Sequence, residues 1–190
     1  MPVEYEVKLP GEPEALREQL AQLGAEPCSP RLLEDDLVLD TASRTLASAA
    51  QVLRLRRRGK DYLLTHKGPV ADDVSVKARE EWQTPVEDGV AMLAVFERLG
   101  YEVAIRYQKY RTLYMIGDVV ASLDETPLGC FVELEGTPAE IERLAGEIGY
   151  KPGSFEVRSY LEIHRARGNR GDMLFDGPEA APWLEGASDQ

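Results

Sequence analysis

Charged residues recur at every second position in several β-rich stretches of this chain, and that alternation restricts the fold more than any other feature. Successive side chains of a strand point to opposite faces, so residues of equal parity look the same way. Over 2–9, Glu4, Glu6 and Lys8 share one face, and Val3, Tyr5, Val7 and Leu9 share the other. Over 51–58, Arg54, Arg56 and Arg58 oppose Leu53 and Leu55. Thr65 and Lys67 stand together with His66 opposite, and Lys77, Arg79 and Glu81 align against Val76, Ala78 and Trp82. Lys109 and Arg111 share a face that Arg106 does not, while Glu133 and Glu135 oppose Val132 and Leu134.

A solvated strand face usually carries Thr, Ser and Gln among its charges; these faces carry charge at consecutive positions. Their apolar faces need cover, and amphipathic stretches at 13–23, 87–99 and 138–148 can supply it, with a further helical candidate at 156–166. Strands are predicted at 2–9, 31–40, 51–58, 61–67, 74–84, 102–116, 118–124 and 130–136. This order has no βαβ rhythm, so the sheet is expected to be antiparallel. Eight strands suffice to close a barrel with room for one small ligand. The expected fold is therefore α+β and mainly β: an eight-stranded closed antiparallel barrel with helices outside and charge inside. It would occupy 1–167, followed by a loosely held tail, 168–190, in which Trp183 and Leu184 are candidates for docking at a place the sequence does not reveal.

An interior lined with charge is costly unless the charges compensate one another or bind something. The net charge of −12 argues against a general nucleic-acid binder, yet Arg54, Arg56, Arg57, Arg58 and Lys60 crowd one segment and Arg106, Lys109 and Arg111 another. Arginine forks and lysine point charges suit phosphate. Glu4, Glu6, Asp124, Glu133 and Glu135 are hard oxygen donors of the kind Mg²⁺ or Mn²⁺ takes. A metal-bound polyphosphate would neutralise both sets. Cys28 and Cys130 form neither a disulfide framework nor a zinc pattern, no apolar run is long enough for a membrane helix, and the N-terminus has no signal-peptide core. A cytoplasmic protein without a membrane partner is expected, as a monomer or homodimer. His66 and His164 are assigned structural places, and Arg170-Gly171-Asp172 is taken as a chance triplet.

Taken in order, these residues resemble the CYTH superfamily, the triphosphate tunnel metalloenzymes. The resemblance rests on E-x-E-x-K at Glu4–Lys8, LRLR at 53–56, HKGP at 66–69, REE at 79–81, K-x-R at 109–111, Asp124 and ELE at 133–135, and it spans about 1–165. It implies that Glu4, Glu6, Asp124, Glu133 and Glu135 hold Mg²⁺ or Mn²⁺. Lys8, Arg54, Arg56, Lys67, Arg79, Lys109 and Arg111 would grip the triphosphate, with Lys8, Arg56, Lys67, Lys109 and Arg111 closest to the chemistry. Glu81 would pair inside the tunnel, Arg58 would lie at its rim and Arg106 outside. DLVLD at 36–40, GY at 100–101, DETPLGCFVELEG at 124–136 and RSYLEI at 158–163 are similar to the class IV adenylate cyclase branch. Ser159 and Tyr160 fit that branch's closing motif and equally a capped, packed C-terminal helix. The substrate class so implied is ATP, inorganic triphosphate or thiamine triphosphate. The branch resemblance favours a cyclase that converts ATP to cyclic AMP and pyrophosphate; hydrolysis of inorganic or thiamine triphosphate is the alternative, and a non-catalytic polyphosphate-binding module comes last.

Overall fold

Eight antiparallel strands close on themselves in the order β1-β5-β4-β3-β2-β6-β7-β8. They are β1 (Val3–Gly11), β2 (Glu26–Thr41), β3 (Val52–Arg58), β4 (Asp61–Val70), β5 (Lys77–Val86), β6 (Tyr101–Ile116), β7 (Val119–Thr126) and β8 (Gly129–Glu135). The helices are α1 (Pro13–Gln22), α2 (Thr45–Ser48), α3 (Gly89–Arg98), α4 (Pro138–Glu147) and α5 (Tyr160–Ala166). The computed structural model describes residues 3–70, 77–177 and 183. Val76 and Leu184, and the side chains of Val3 and Lys77, fall outside what is described.

Alternation sorts the side chains as the sequence pattern requires. Val7, Leu9, Leu123 and Leu134, outward on β1, β7 and β8, are fully buried under Leu16 and Leu20 of α1 and Ile141 and Leu144 of α4. Leu37, Leu39, Leu53 and Leu55, outward on β2 and β3, are covered by Leu93 of α3 and by Trp183. Burying each such side chain contributes roughly 1.5–3 kcal/mol, so the two outer cores hold the barrel around a polar interior. Asp88 caps α3 by accepting from the Ala91 amide at 2.9 Å, and Thr137 caps α4 at Glu140.

Several boundaries differ from the sequence expectation. β2 starts at Glu26 because its first residues pair with the far end of β6; Pro27 and Pro30 are accommodated by register shifts flanking Ser29. The connection after β2 contains the short helix α2, whose amides at Leu46 and Ala47 donate to Asp40 at 2.9 and 3.0 Å. The last helix begins at Tyr160, not 156, because Ser159 and Glu162 form a capping box there, while Glu156 bridges to Lys8 through backbone hydrogen bonds. Beyond Gly168, described residues dock on the barrel, among them Asp172, which accepts from the Arg106 amide, and Phe175, which packs on Tyr110. Met173 exchanges backbone hydrogen bonds with Arg106 and Gln108, beside the part of β6 that β7 does not reach. Trp183 is buried on the outer face of β2 and β3, its indole donating to the Asp35 carbonyl at 3.3 Å.

Candidate active site

Inside the barrel, neighbouring strands bring the charged faces into one network. On the β2–β3–β6 side, Asp36 receives Arg56 through two parallel hydrogen bonds of 2.7 and 2.8 Å, and Glu34 lies 2.8 Å from a third nitrogen of the same guanidinium. Arg54 donates to the Tyr107 hydroxyl and to Thr65, each at 3.3 Å, and stands 3.9 Å from Asp36. Its Nε is buried without an acceptor. Arg111 grips Asp124 at 2.6 and 2.5 Å and also bonds Glu133; Lys109 adds a contact of 2.8 Å to Asp124. Lys8 bridges Glu6 and Glu133, 3.3 Å from each.

On the β1–β4–β5 side the balance reverses. Lys67 lies 2.7 Å from Glu4 and also bonds Glu81. Glu135 makes no ion pair among the described residues and keeps contact with solvent. Arg79 donates to backbone instead: its Nε to the Gly68 carbonyl at 2.9 Å and its Nη2 to the Ala50 carbonyl at 3.3 Å.

Tyr160, the first residue of α5, enters the network from one end of the barrel. Its hydroxyl donates to Asp124 Oδ2 at 2.8 Å, and the ammonium groups of Lys8 and Lys109 lie 5.3 and 5.2 Å from its ring centre. Phe131, Ile163, Met173 and Tyr107 pack around it. Ser159 caps the helix, and Tyr160 is buried in the network.

The ionisation of the carboxyls follows this geometry. Burial alone would raise Asp36, yet Arg56 and Arg54 outweigh it and bring it down to about 2. Burial likewise opposes the charges on Glu34 and Glu133, and the surrounding Arg56, Arg111, Lys109 and Lys8 hold both below the ordinary range, Glu133 well below. Glu4 moves the other way, to about 8: burial and the hydrogen bond it shares with Glu81 exceed what Lys67 supplies. Burial also raises Glu135, and Glu6 and Glu81 add like charge. Burial lowers Arg79, more than Glu6, Glu4 and Glu81 raise it. Tyr160 is raised well above the ordinary phenol by burial and by Asp124, so it stays a donor.

Glu4, Glu6, Asp124, Glu133 and Glu135, with Lys8, Arg54, Arg56, Lys67, Arg79, Lys109 and Arg111, share the inner face, but not as one ligand sphere and one anion cradle. Among the described residues no three His, Cys, Asp or Glu side chains form a ready-made metal cluster. Among the described residues Asp124 and Glu133 are enclosed by cations, whereas Glu4 and Glu81 share Lys67 and Glu135 makes no ion pair, and the hard oxygen donors of this second group fit a divalent ion. Glu81 pairs with Lys67, and Arg106 lies outside, where it holds Asp35 at 2.8 and 2.7 Å. Glu34 and Asp36 were missed as interior residues. Their parity on β2 carried the signal, since they sit opposite Arg58 and Arg56 in the register.

Residues 2–160 match the CYTH domain family. The chain belongs to the CYTH family. This is the family of triphosphate tunnel metalloenzymes, which implies a divalent metal. Among CYTH relatives, the protein named "Putative adenylate cyclase MJ0240" of Methanocaldococcus jannaschii is 31% identical over 140 residues, covering 73% of this chain and 78% of its own length. A solved structure described as a putative adenylate cyclase from Vibrio parahaemolyticus superposes with a TM-score of 0.75 at 26% identity, covering 85% of this chain and 97% of that one. A Hippeastrum protein, described as a putative adenylyl cyclase with dominant triphosphatase activity, shares the fold with a TM-score of 0.65 at 19% identity, over 88% of this chain and 96% of its own. CYTH relatives bind triphosphate-containing substrates. Among the described residues no helix is long and apolar enough to cross a membrane.

Proposed function

We propose that this chain is a class IV type adenylate cyclase, converting ATP to cyclic AMP and pyrophosphate inside the barrel. The observation that carries the reading is the imbalance of the interior among the described residues: a buried Arg54 Nε without an acceptor and an Arg79 bonded to backbone carbonyls and to no carboxylate, beside Glu4 and Glu81 sharing Lys67. A metal-bound triphosphate supplies acceptors to the first and positive charge to the second. Lys8, Arg54, Arg56, Lys67, Arg79, Lys109 and Arg111 would hold phosphate oxygens, with Arg56, Lys109 and Arg111 exchanging a carboxylate for a phosphate as they do so. Glu4, Glu6 and Glu135, with Asp124 and Glu133, would hold Mg²⁺ or Mn²⁺. Bound there, the ion supplies charge neutralisation at the phosphates and a lowered pKa for the attacking hydroxyl. The ribose 3′-oxygen attacks the α-phosphorus, its proton leaves to solvent, and the bond to the β-phosphate oxygen breaks to release pyrophosphate. No protein nucleophile is needed, because positioning and charge stabilisation carry such reactions.

A triphosphatase is the second reading, and the exposure of Glu135 favours it: water reaches the acidic group and can attack a terminal phosphorus there. Inorganic triphosphate and thiamine triphosphate are its candidate substrates. A product assay with Mg²⁺ or Mn²⁺ and all three compounds separates the readings. Cyclic AMP with pyrophosphate is expected from ATP. Free phosphate without cyclic AMP would transfer the assignment to the triphosphatase, and binding without turnover would leave a polyphosphate-binding module.

A further inference from the structure

On one side β6 is paired with β2 from Tyr101 to Met115, but on the other β7 reaches it only from Tyr110 to Ile116. The rest of that edge would present bare amides and carbonyls in the barrel wall, which is costly where water is excluded. Residues that follow α5 close this seam. The Arg106 amide donates to Asp172 Oδ1 at 2.8 Å, the Met173 amide to the Arg106 carbonyl at 3.0 Å, and the Gln108 amide to the Met173 carbonyl at 2.9 Å. Met173 therefore pairs with Tyr107 as a residue of a parallel strand would. The strap is tied on both sides of this pairing. His164 of α5 donates from Nε2 to the Gly171 carbonyl at 3.1 Å, and Phe175 lies against Tyr110 with ring centres 5.3 Å apart. Gly171 and Asp172 of the Arg170-Gly171-Asp172 triplet thus serve the strap.

Paired residues of neighbouring strands put their side chains on the same face. Met173 accordingly shares the face of Tyr107, and it is buried in one cluster with Tyr107, Tyr160, Phe131 and Ile163. What the Tyr107 hydroxyl holds gives this contact its importance. Arg56 and Arg111 are each fixed by a carboxylate through two parallel hydrogen bonds. Arg54 has no such clamp among the described residues. Its Nη1 donates to the Tyr107 hydroxyl and its Nη2 to Thr65, each at 3.3 Å, while Asp36 stands 3.9 Å away, beyond hydrogen-bond reach. Two neutral hydroxyls therefore aim this guanidinium, and one of them belongs to the residue that Met173 brackets.

We infer that Met173 is a positioning residue of the triphosphate site: it sets the Tyr107 ring, and the Tyr107 hydroxyl aims Arg54 so that its buried Nε meets a phosphate oxygen. The inference rests on the triphosphate reading above. It adds that the strap after α5 is part of the construction of the site and controls the grip of one cation.

Affinity for inorganic triphosphate with Mg²⁺ is measured by titration calorimetry on the full chain. Met173→Ala, which empties the place beside Tyr107, is expected to weaken binding at least fivefold. Met173→Leu, which refills that place, should stay within twofold of the wild type. Tyr107→Phe keeps the ring and removes the oxygen that holds Arg54. It should weaken binding by a similar factor, and adding Met173→Ala to it should cost less than twofold more. Leu93→Ala, in the outer core under α3, controls for lost stability and should leave affinity within twofold. Should Met173→Ala fail to fold, Asp172→Ala, at an exposed position of the strap, carries the same comparison. Unchanged affinity in the strap variants, a full further loss in the Tyr107→Phe background, or an equal loss in Leu93→Ala would overturn the role of Met173 while leaving the triphosphate reading intact. A wild-type chain that binds no triphosphate would overturn that reading and the inference with it.

Discussion

Two arcs of the same barrel wall hold carboxyl groups in opposite states. Along β2, β6, β7 and the middle of β8, Glu34, Asp36 and Glu133 are buried yet held below the ordinary carboxylate range by the cations around them. Along β1, β5 and the end of β8, Glu4 and Glu135 are raised by burial, which Lys67, shared between Glu4 and Glu81, does not offset; Glu135 has no ion pair among the described residues. Residue type does not decide the difference; the number of guanidinium and ammonium groups within reach does. The first arc satisfies itself and must exchange partners to take a phosphate. The second has fewer cations among the described residues, and on the proposed reading a divalent ion would complete it.

The comparison breaks most sharply at the acidic arc. Glu4→Gln or Glu135→Gln is expected to cut metal-dependent turnover by at least 100-fold while the melting temperature of the metal-free protein is unchanged or higher, since each removes a carboxyl whose charged form burial disfavours. Turnover assays beside circular dichroism melts check both halves of that statement. Normal activity in both variants would remove the acidic arc from the metal site.

On the paired arc the same kind of deletion should act first on stability. Arg56→Ala leaves Asp36 and Glu34 buried without their main partner, a loss of about 3–5 kcal/mol in chemical denaturation, and it weakens triphosphate binding as well. Arg57→Ala, one position along and on the outer face, removes contacts to Asp35 and to the Trp183 carbonyl. It should cost about 1–2 kcal/mol and leave triphosphate affinity within twofold. Equal losses of affinity in the two variants would discredit the division of faces.

The paired arc also predicts an acid limb. Asp36 has a folded-state pKa of about 2 against an ordinary 3.8, so the stability it contributes is complete above 3.8 and is lost as pH falls towards 2. Asp36→Asn should be less stable at neutral pH and should lose less of its remaining stability across that window, as read from melts at successive pH values. An unchanged slope would mean that the Arg56 pairing does not stabilise the charged form. The smallest effect is expected from Cys28→Ser combined with Cys130→Ser, two free thiols outside the network, which should leave turnover unaltered. Loss of activity there would reveal a thiol role in a barrel argued to work by charge alone.

How far the sequence carries depends on whether a signal is local to one strand. Glu4, Glu6 and Lys8, or Arg54 and Arg56, declare their common face by spacing alone, and the apolar residues between them declare the opposite one. Glu34 and Asp36 obey the same rule, but the eye follows the apolar Leu37, Val38 and Leu39 beside them, and only pairing with β3 sets them against Arg58 and Arg56. The split of the acids into satisfied and unsatisfied groups was not legible, because it depends on which cations the barrel closure brings across from other strands. Trp183 lay furthest from reach. Its place is fixed by Asp35 and Arg57, outward residues whose neighbours on both sides face the tunnel, and no spacing links them to a tryptophan so distant in the chain.

The division of labour between the arcs is tested most directly by crystals grown with Mn²⁺ and inorganic triphosphate, with the metal located by its anomalous scattering. The account predicts a manganese peak bonded to oxygens of Glu4, Glu6 or Glu135, with phosphate density against Arg54, Arg56, Lys109 and Arg111. A peak held by Glu34 and Asp36, with the acidic arc vacant and phosphate lying elsewhere, would contradict it.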